Sequence, residues 1–102
     1  MKKEKEIEKY VKKEYKFSYK AYKIAEKRIA EKKIENKKEF EKAKEFLEMA
    51  KAYLDDSLHF LNKKDYIRAI ACIYYAHAWL DAGARLGFWK PNKKEKKYFS
   101  VD

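Results

Sequence analysis

The sequence predicts an all-α fold: a three-helix antiparallel up-and-down bundle with a long first helix and a short basic C-terminal tail. Three observations carry this. Two Gly and one Pro in 102 residues leave almost no turn chemistry, whereas strong helix formers abound. Apolar residues recur at steps of three and four over three stretches, the spacing that stacks side chains on one face of a helix. The breaks between stretches are short, which makes successive helices antiparallel neighbours. A chain of this length buries one core, so one domain is expected over residues 1–89, followed by a mobile basic tail over 90–102.

The first helix is expected from about Lys3 to Lys33. Ile7, Val11, Tyr15, Ser18, Tyr22, Ala25 and Ile29 form its buried stripe, flanked by Tyr10 and Ala21. The opposite side is Lys and Glu apart from Phe17, Tyr19 and Ile24. The pattern ends at Glu35, Asn36, Lys37 and Lys38, read as the first connection. A second helix follows from about Glu39 to Asn62. Its stripe is Phe40, Ala43, Leu47, Ala50, Leu54, Ser57 and Leu61, widened by Phe46, Tyr53 and Phe60. Asn62, Lys63 and Lys64 break it, and Asp65 is placed to cap the next helix.

The third helix, about Tyr66 to Leu86, is apolar nearly all round. Tyr66, Ile70, Ile73, His77, Leu80 and Ala84 make one face; Cys72, Tyr75, Trp79 and Leu86 make nearly the opposite one. Such a helix belongs in the middle of an assembly. One face meets the other two helices, and the Tyr75 and Trp79 side is covered by the tail or left for a partner. Gly87 ends the helix at C′ and Pro91 stops its resumption. In the tail, Tyr98, Phe99 and Val101 are the residues able to dock. At ~1.5 Å per residue the helices measure about 46, 36 and 32 Å, so the first overhangs the others by its amino end.

Nine Tyr, six Phe and two Trp supply enough apolar area to fold a chain that is 43% charged. The lone Cys72 excludes an internal disulfide, and no apolar run follows the opening MKKEKE, so a reducing cytoplasmic location is expected. Ionisable groups at Arg68, His77, Asp81 and Arg85 argue against a membrane span in the most apolar stretch. The net charge of +10 is uneven: +7 over residues 1–45, zero over 46–89 and +3 over 90–102. Only Arg28, Arg68 and Arg85 are arginine, whereas nucleic-acid interfaces favour its bidentate fork. Heavy Lys and Glu usage is also the habit of proteins from hot environments, and the thermophile reading is preferred to a phosphate-binding face.

The segments YLDDSLHF (Tyr53–Phe60), KDYIRA (Lys64–Ala69) and YAHAWLDAGARLGF (Tyr75–Phe88) resemble the signature of the archaeal family catalogued as domain of unknown function 357. The resemblance covers residues 46–89. It implies a short three-helix bundle in a family without an established activity. The sequence departs from the pattern at Lys64, where the family commonly has glycine, and the basic first helix lies outside the resemblance.

His77, Asp81 and Arg85 stand four apart along one side of the third helix, roughly 6 Å between neighbours. They suit an activated histidine, two metal ligands, or a structural ladder linking an imidazole to a guanidinium. The ladder is preferred, because a structural metal site recruits about four ligands. Asp55 and His59 are no help, since His59 lies roughly 15 Å away from His77 along the hairpin axis. Asp56 and Arg68, both near the turn, are expected to close the hairpin as an ion pair. Arg68 and His77 bear a partial likeness to the pair in small helical ribonucleases, in which Arg is followed by four to six residues and then His. Here the two are nine positions apart, which puts them on different sides of the helix. Ser18 and Ser57 have no nearby His in sequence register and are read as small residues at helix contacts. Cys72 is read as an inert thiol.

The run YKFSYKAYK (Tyr15–Lys23) interleaves aromatics with lysines and is the nucleic-acid candidate, with Lys12, Lys16, Lys20, Lys23 and Lys27 as contacts. Against it, Tyr15 and Tyr22 fall on the core stripe and Phe17 and Tyr19 point about 160° apart. The expected function is therefore a non-enzymatic module acting through protein contacts or self-association, a dimer included. Its interface would be Cys72, Tyr75, Trp79 and Leu86. No cofactor, metal or small-molecule substrate is expected. Weak RNA or DNA binding through the first helix and tail is the alternative.

Overall fold

The computed structural model describes residues 2–31 and 36–100. Among these, the chain forms three α-helices, α1 (Lys2–Glu31), α2 (Lys37–Asn62) and α3 (Tyr66–Arg85), and one 3-10 turn, Lys96–Tyr98. No strand occurs among the described residues. The bundle is all-α, with α1 antiparallel to α2 and parallel to α3. The expected end of the first helix at Lys33 lies outside the described residues. Asn36, read as part of the connection, instead caps α2: its side-chain oxygen accepts from the backbone N–H groups of Lys38 and Glu39 at 3.0 and 3.3 Å.

Both α2 and α3 end in the same Schellman closure. In the first, the Lys64 N–H donates to Leu61 O and the Asp65 N–H to Phe60 O; in the second, the Gly87 N–H donates to Ala84 O and the Phe88 N–H to Gly83 O. The closure needs a left-handed residue. Gly87 meets that need at φ 82°, whereas Lys64 adopts φ 61° with a full side chain. Asp65 then caps α3 by accepting from the Arg68 N–H at 3.1 Å.

The core divides into two clusters. Near the α2–α3 turn, Val11, Ala69 and Ile73 pack together, joined by Phe60, Leu61, Tyr66 and Ile70. The larger cluster takes Ala21, Tyr22, Ala25 and Ile29 from α1, Ala43, Leu47, Ala50 and Leu54 from α2, and Ala76 and Leu80 from α3. It is completed by Phe88, Trp89 and Phe99, which follow the last helix. Ile7, near the amino end of α1, is half exposed. Phe40, at the start of α2, is likewise exposed.

The described residues of the tail expected over 90–102 pack on the bundle, Tyr98 and Phe99 among them. Trp89 is 0% exposed and its indole N–H donates to Leu80 O at 3.0 Å. Gly83 makes room for it: a Cβ there would run into the indole. The chain then returns along α1. Arg28 binds Glu95 through Nε and Nη2, each 2.9 Å from Oε1, and Asn92 and Glu95 bond each other's backbone N–H groups. The Arg28 guanidinium holds the Glu95 carboxyl below its ordinary range. Phe99 is buried, and Ile24, read from the sequence as outward, is buried in the same cluster. Val101 lies outside the described residues.

Candidate functional site

The residues that sequence reasoning singled out on α3 do not assemble as one ladder. His77 sits at a junction of three segments. Its Nδ1 is 2.9 Å from Ser18 Oγ on α1, and its Nε2 is 2.8 Å from the carbonyl of Tyr98 and 3.4 Å from Asp81 Oδ1. Asp81 in turn accepts the Ser100 N–H at 2.9 Å. With two acceptors beside Nε2, the tautomer that satisfies the network carries its proton there, and Nδ1 accepts the Ser18 hydroxyl. The rings of Phe17 and Phe99 flank the imidazole at centroid distances of 5.6 and 6.5 Å, with Tyr98 packed on Phe17 at 5.1 Å.

Two expectations fail here. Arg85 takes no part: it is exposed at the end of α3, and Asp81 turns to the tail backbone instead. Ser18, which has no histidine near it in sequence and lies buried at a helix contact as expected, meets His77 at 2.9 Å, because the parallel arrangement of α1 and α3 aligns residues far apart in sequence. Asp56 and Arg68 do not close the hairpin either. Arg68 pairs at 2.7 Å with Asp65, its own cap, which is three residues away and needs no reach across the turn. Asp55 pairs with Lys51 at 2.9 Å, and His59 lies against Phe60. Among the described residues no three His, Cys, Asp or Glu side chains converge as for a metal ion.

Ser18, His77 and Asp81 are nonetheless in the order nucleophile, base and orienter. The surroundings work against acyl transfer. Ser18 is 3% exposed in mid-helix, so its oxygen has no room to attack and the neighbouring backbone N–H groups are committed to the helix. The depression outside the junction, about 360 Å³, is lined by Glu14 and Asp81 as well as His77, which would repel a developing oxyanion. The arrangement ties α1, α3 and the tail together.

Residues 20–89 match the family described as "Protein of unknown function (DUF357)". The chain belongs to that family. No curated protein and no solved structure matches it. The family segment begins earlier than the resemblance over 46–89, so the last twelve residues of α1 fall within it. His77, Asp81 and Trp89 are family positions, whereas Ser18, Tyr98 and Ser100, which complete the junction, lie outside.

Two exposed faces remain. On α3, Trp79 and Cys72 turn toward α2: Trp79 meets Phe46 edge-on at 4.9 Å, and Cys72 is half-buried with its thiol pushed up by burial and then by Asp56. Tyr75 leans on Tyr53 at 4.4 Å yet stays 51% exposed, and Leu86 is 60% exposed. Sequence reasoning missed Ile67, which is 82% exposed; its position four residues before Ala71 was the available signal. On α1, Lys12, Lys16, Lys20, Lys23 and Lys27 are all exposed. Lys12 pairs with Glu8 and Lys23 with Glu26. No helix among the described residues is long and apolar enough to cross a membrane.

Proposed function

We propose that the chain is a non-catalytic, cytoplasmic helical contact module that pairs with a second copy of itself through the outward face of α3. One observation carries this. The outward residues Ile67, Ala71, Tyr75, Ala78, Ala82 and Leu86 recur at steps of three and four, and the set is nearly symmetric about its midpoint. Laid antiparallel on a copy, Ile67 meets Leu86 of the copy, Ala71 meets Ala82, and Tyr75 meets Ala78. Large side chains thus face large ones at the ends, while each tyrosine lies over an alanine at the centre, as a two-fold interface requires. Arg68 and Arg85 fall on opposite edges. Exposure of so much apolar surface on a small domain supports a contact role.

An interface confined to one 20-residue helix is small, so pairing on the order of micromolar is expected. Light scattering across protein concentration tests it. The native chain should dimerise, Ala78→Glu should remain helical and monomeric, and Ala52→Glu, on the exposed side of α2, should dimerise as the native chain does. A native chain that stays monomeric up to about 1 mM, or pairing unchanged by Ala78→Glu, overturns the reading.

A further inference from the structure

The basic excess of the chain is spread over two ends of the sequence, but the fold gathers much of it on one side. At ~100° per residue, Lys5, Lys9, Lys16, Lys20, Lys23 and Lys27 fall within an arc of roughly 60° on the outer side of α1, opposite the buried stripe. Glu4, Glu8 and Glu14 lie roughly 85° or more from the centre of that arc, as does Glu26, which nonetheless pairs with Lys23 at 2.9 Å; Glu6 lies nearer, at about 70°, and Glu31 stands past its far end. The result is a nearly straight ridge of ammonium groups about 33 Å long, at ~1.5 Å per residue. The returning tail adds to it: Lys20 on α1 and Lys97 on the tail both face the Tyr98 ring, at 5.9 and 5.3 Å from its centroid. Along the other edge Tyr19, 42% exposed, lies between the rings of Tyr15 at 5.8 Å and Tyr22 at 6.2 Å.

We propose that this ridge binds the phosphodiester backbone of a single-stranded nucleic acid, without reading its sequence. Three features select that partner. The charges are linear, about 4.5–6 Å apart along the axis apart from one gap of about 10 Å between Lys9 and Lys16, as suits an extended charged strand more than a compact acidic patch. The crest carries no apolar side chain to insert into a bilayer, since Ile24 beneath it is buried, which disfavours a lipid surface. Tyr19, partly exposed, adds an aromatic edge beside the phosphates for a base to pack on. Lysine without arginine along the crest supplies charge but no bidentate fork, so contacts to base edges are not built in. This surface is separate from the α3 face and does not depend on pairing.

The test uses the full chain and a fluorescent 20-nucleotide mixed-sequence strand, with anisotropy read between 50 and 200 mM salt. Affinity should fall roughly 10²–10³-fold over that range if about six phosphates are met. Lys9→Gln, Lys16→Gln and Lys27→Gln together should weaken binding by at least about tenfold at 50 mM and lower the salt slope by about two, three contacts at ~0.7 each. Lys37→Gln, Lys38→Gln and Lys42→Gln on α2 remove the same net charge and should leave both nearly unchanged. Circular dichroism confirms that each variant is folded. Absence of binding at 50 mM, equal losses in the two triple variants, or equal or tighter binding to polyglutamate or to phosphatidylserine vesicles overturns the proposal.

Discussion

The bundle is closed at its two ends by different means. At the α2–α3 turn three modest side chains, Val11, Ala69 and Ile73, fill the gap beside a three-residue break, and a lysine takes the left-handed position. At the other end Phe88, Trp89 and Phe99 cover the core, a glycine takes the left-handed position, and another glycine inside α3 yields space to the indole. The first end is held by local chain geometry. The second is held by aromatic volume brought back from residues beyond the helices, and this also carries Lys97 to α1 and the Tyr98 carbonyl to His77.

The comparison breaks most visibly at Trp89. Trp89→Ala should cost about 3–5 kcal/mol, since it empties a fully buried site and removes the hydrogen bond to Leu80; denaturant unfolding measures it. Ile73→Ala at the turn end should cost about 2–4 kcal/mol by the same assay. If it costs more than Trp89→Ala, the tail is not what closes the larger cluster. The helix ends sharpen the contrast: Gly87→Ala should destabilise by about 1 kcal/mol, and Lys64→Gly should stabilise by about 0.5–1 kcal/mol. Equal and opposite thermal shifts would show that the two closures differ only in their left-handed residue.

The smallest expected effect is on pH. Arg28 depresses the Glu95 carboxyl from its usual 4.5, so the stability it lends the tail is present above that value and is lost as pH falls through the folded value. Tryptophan fluorescence should therefore change below about pH 4.5, at the acid edge of the native range, and Glu95→Gln should flatten that part of the titration. A native-like titration in the variant would detach the tail from this ion pair.

Legibility followed the range of the interaction. The three helices, Asp65 as a cap and Gly87 at C′ are local features, set within about four residues, and periodicity shows them. The Asp56–Arg68 pair was misjudged because distance to the turn says nothing of a nearer partner, and Asp65 was nearer. Ile24 and Ile7 were exchanged, one buried and one exposed, because a stripe reports the face of a helix but not how far its neighbours extend along it. Four of the six lysines along α1, Lys16, Lys20, Lys23 and Lys27, were singled out in the sequence; Lys5 and Lys9 join them only when charge is placed around the helix axis.

By itself the sequence determined the class, the helix limits to within a few residues, and the family, because apolar periodicity, caps and breaks act through neighbours along the chain. Only the tertiary structure decided that Ser18 meets His77, that Trp89 fills the space left by Gly83, and that the tail joins its lysines to those of α1. These contacts span 59 residues in the first case and depend on how long helices are set against one another. That setting follows from side-chain packing in the core, and no pattern in a single helix records it.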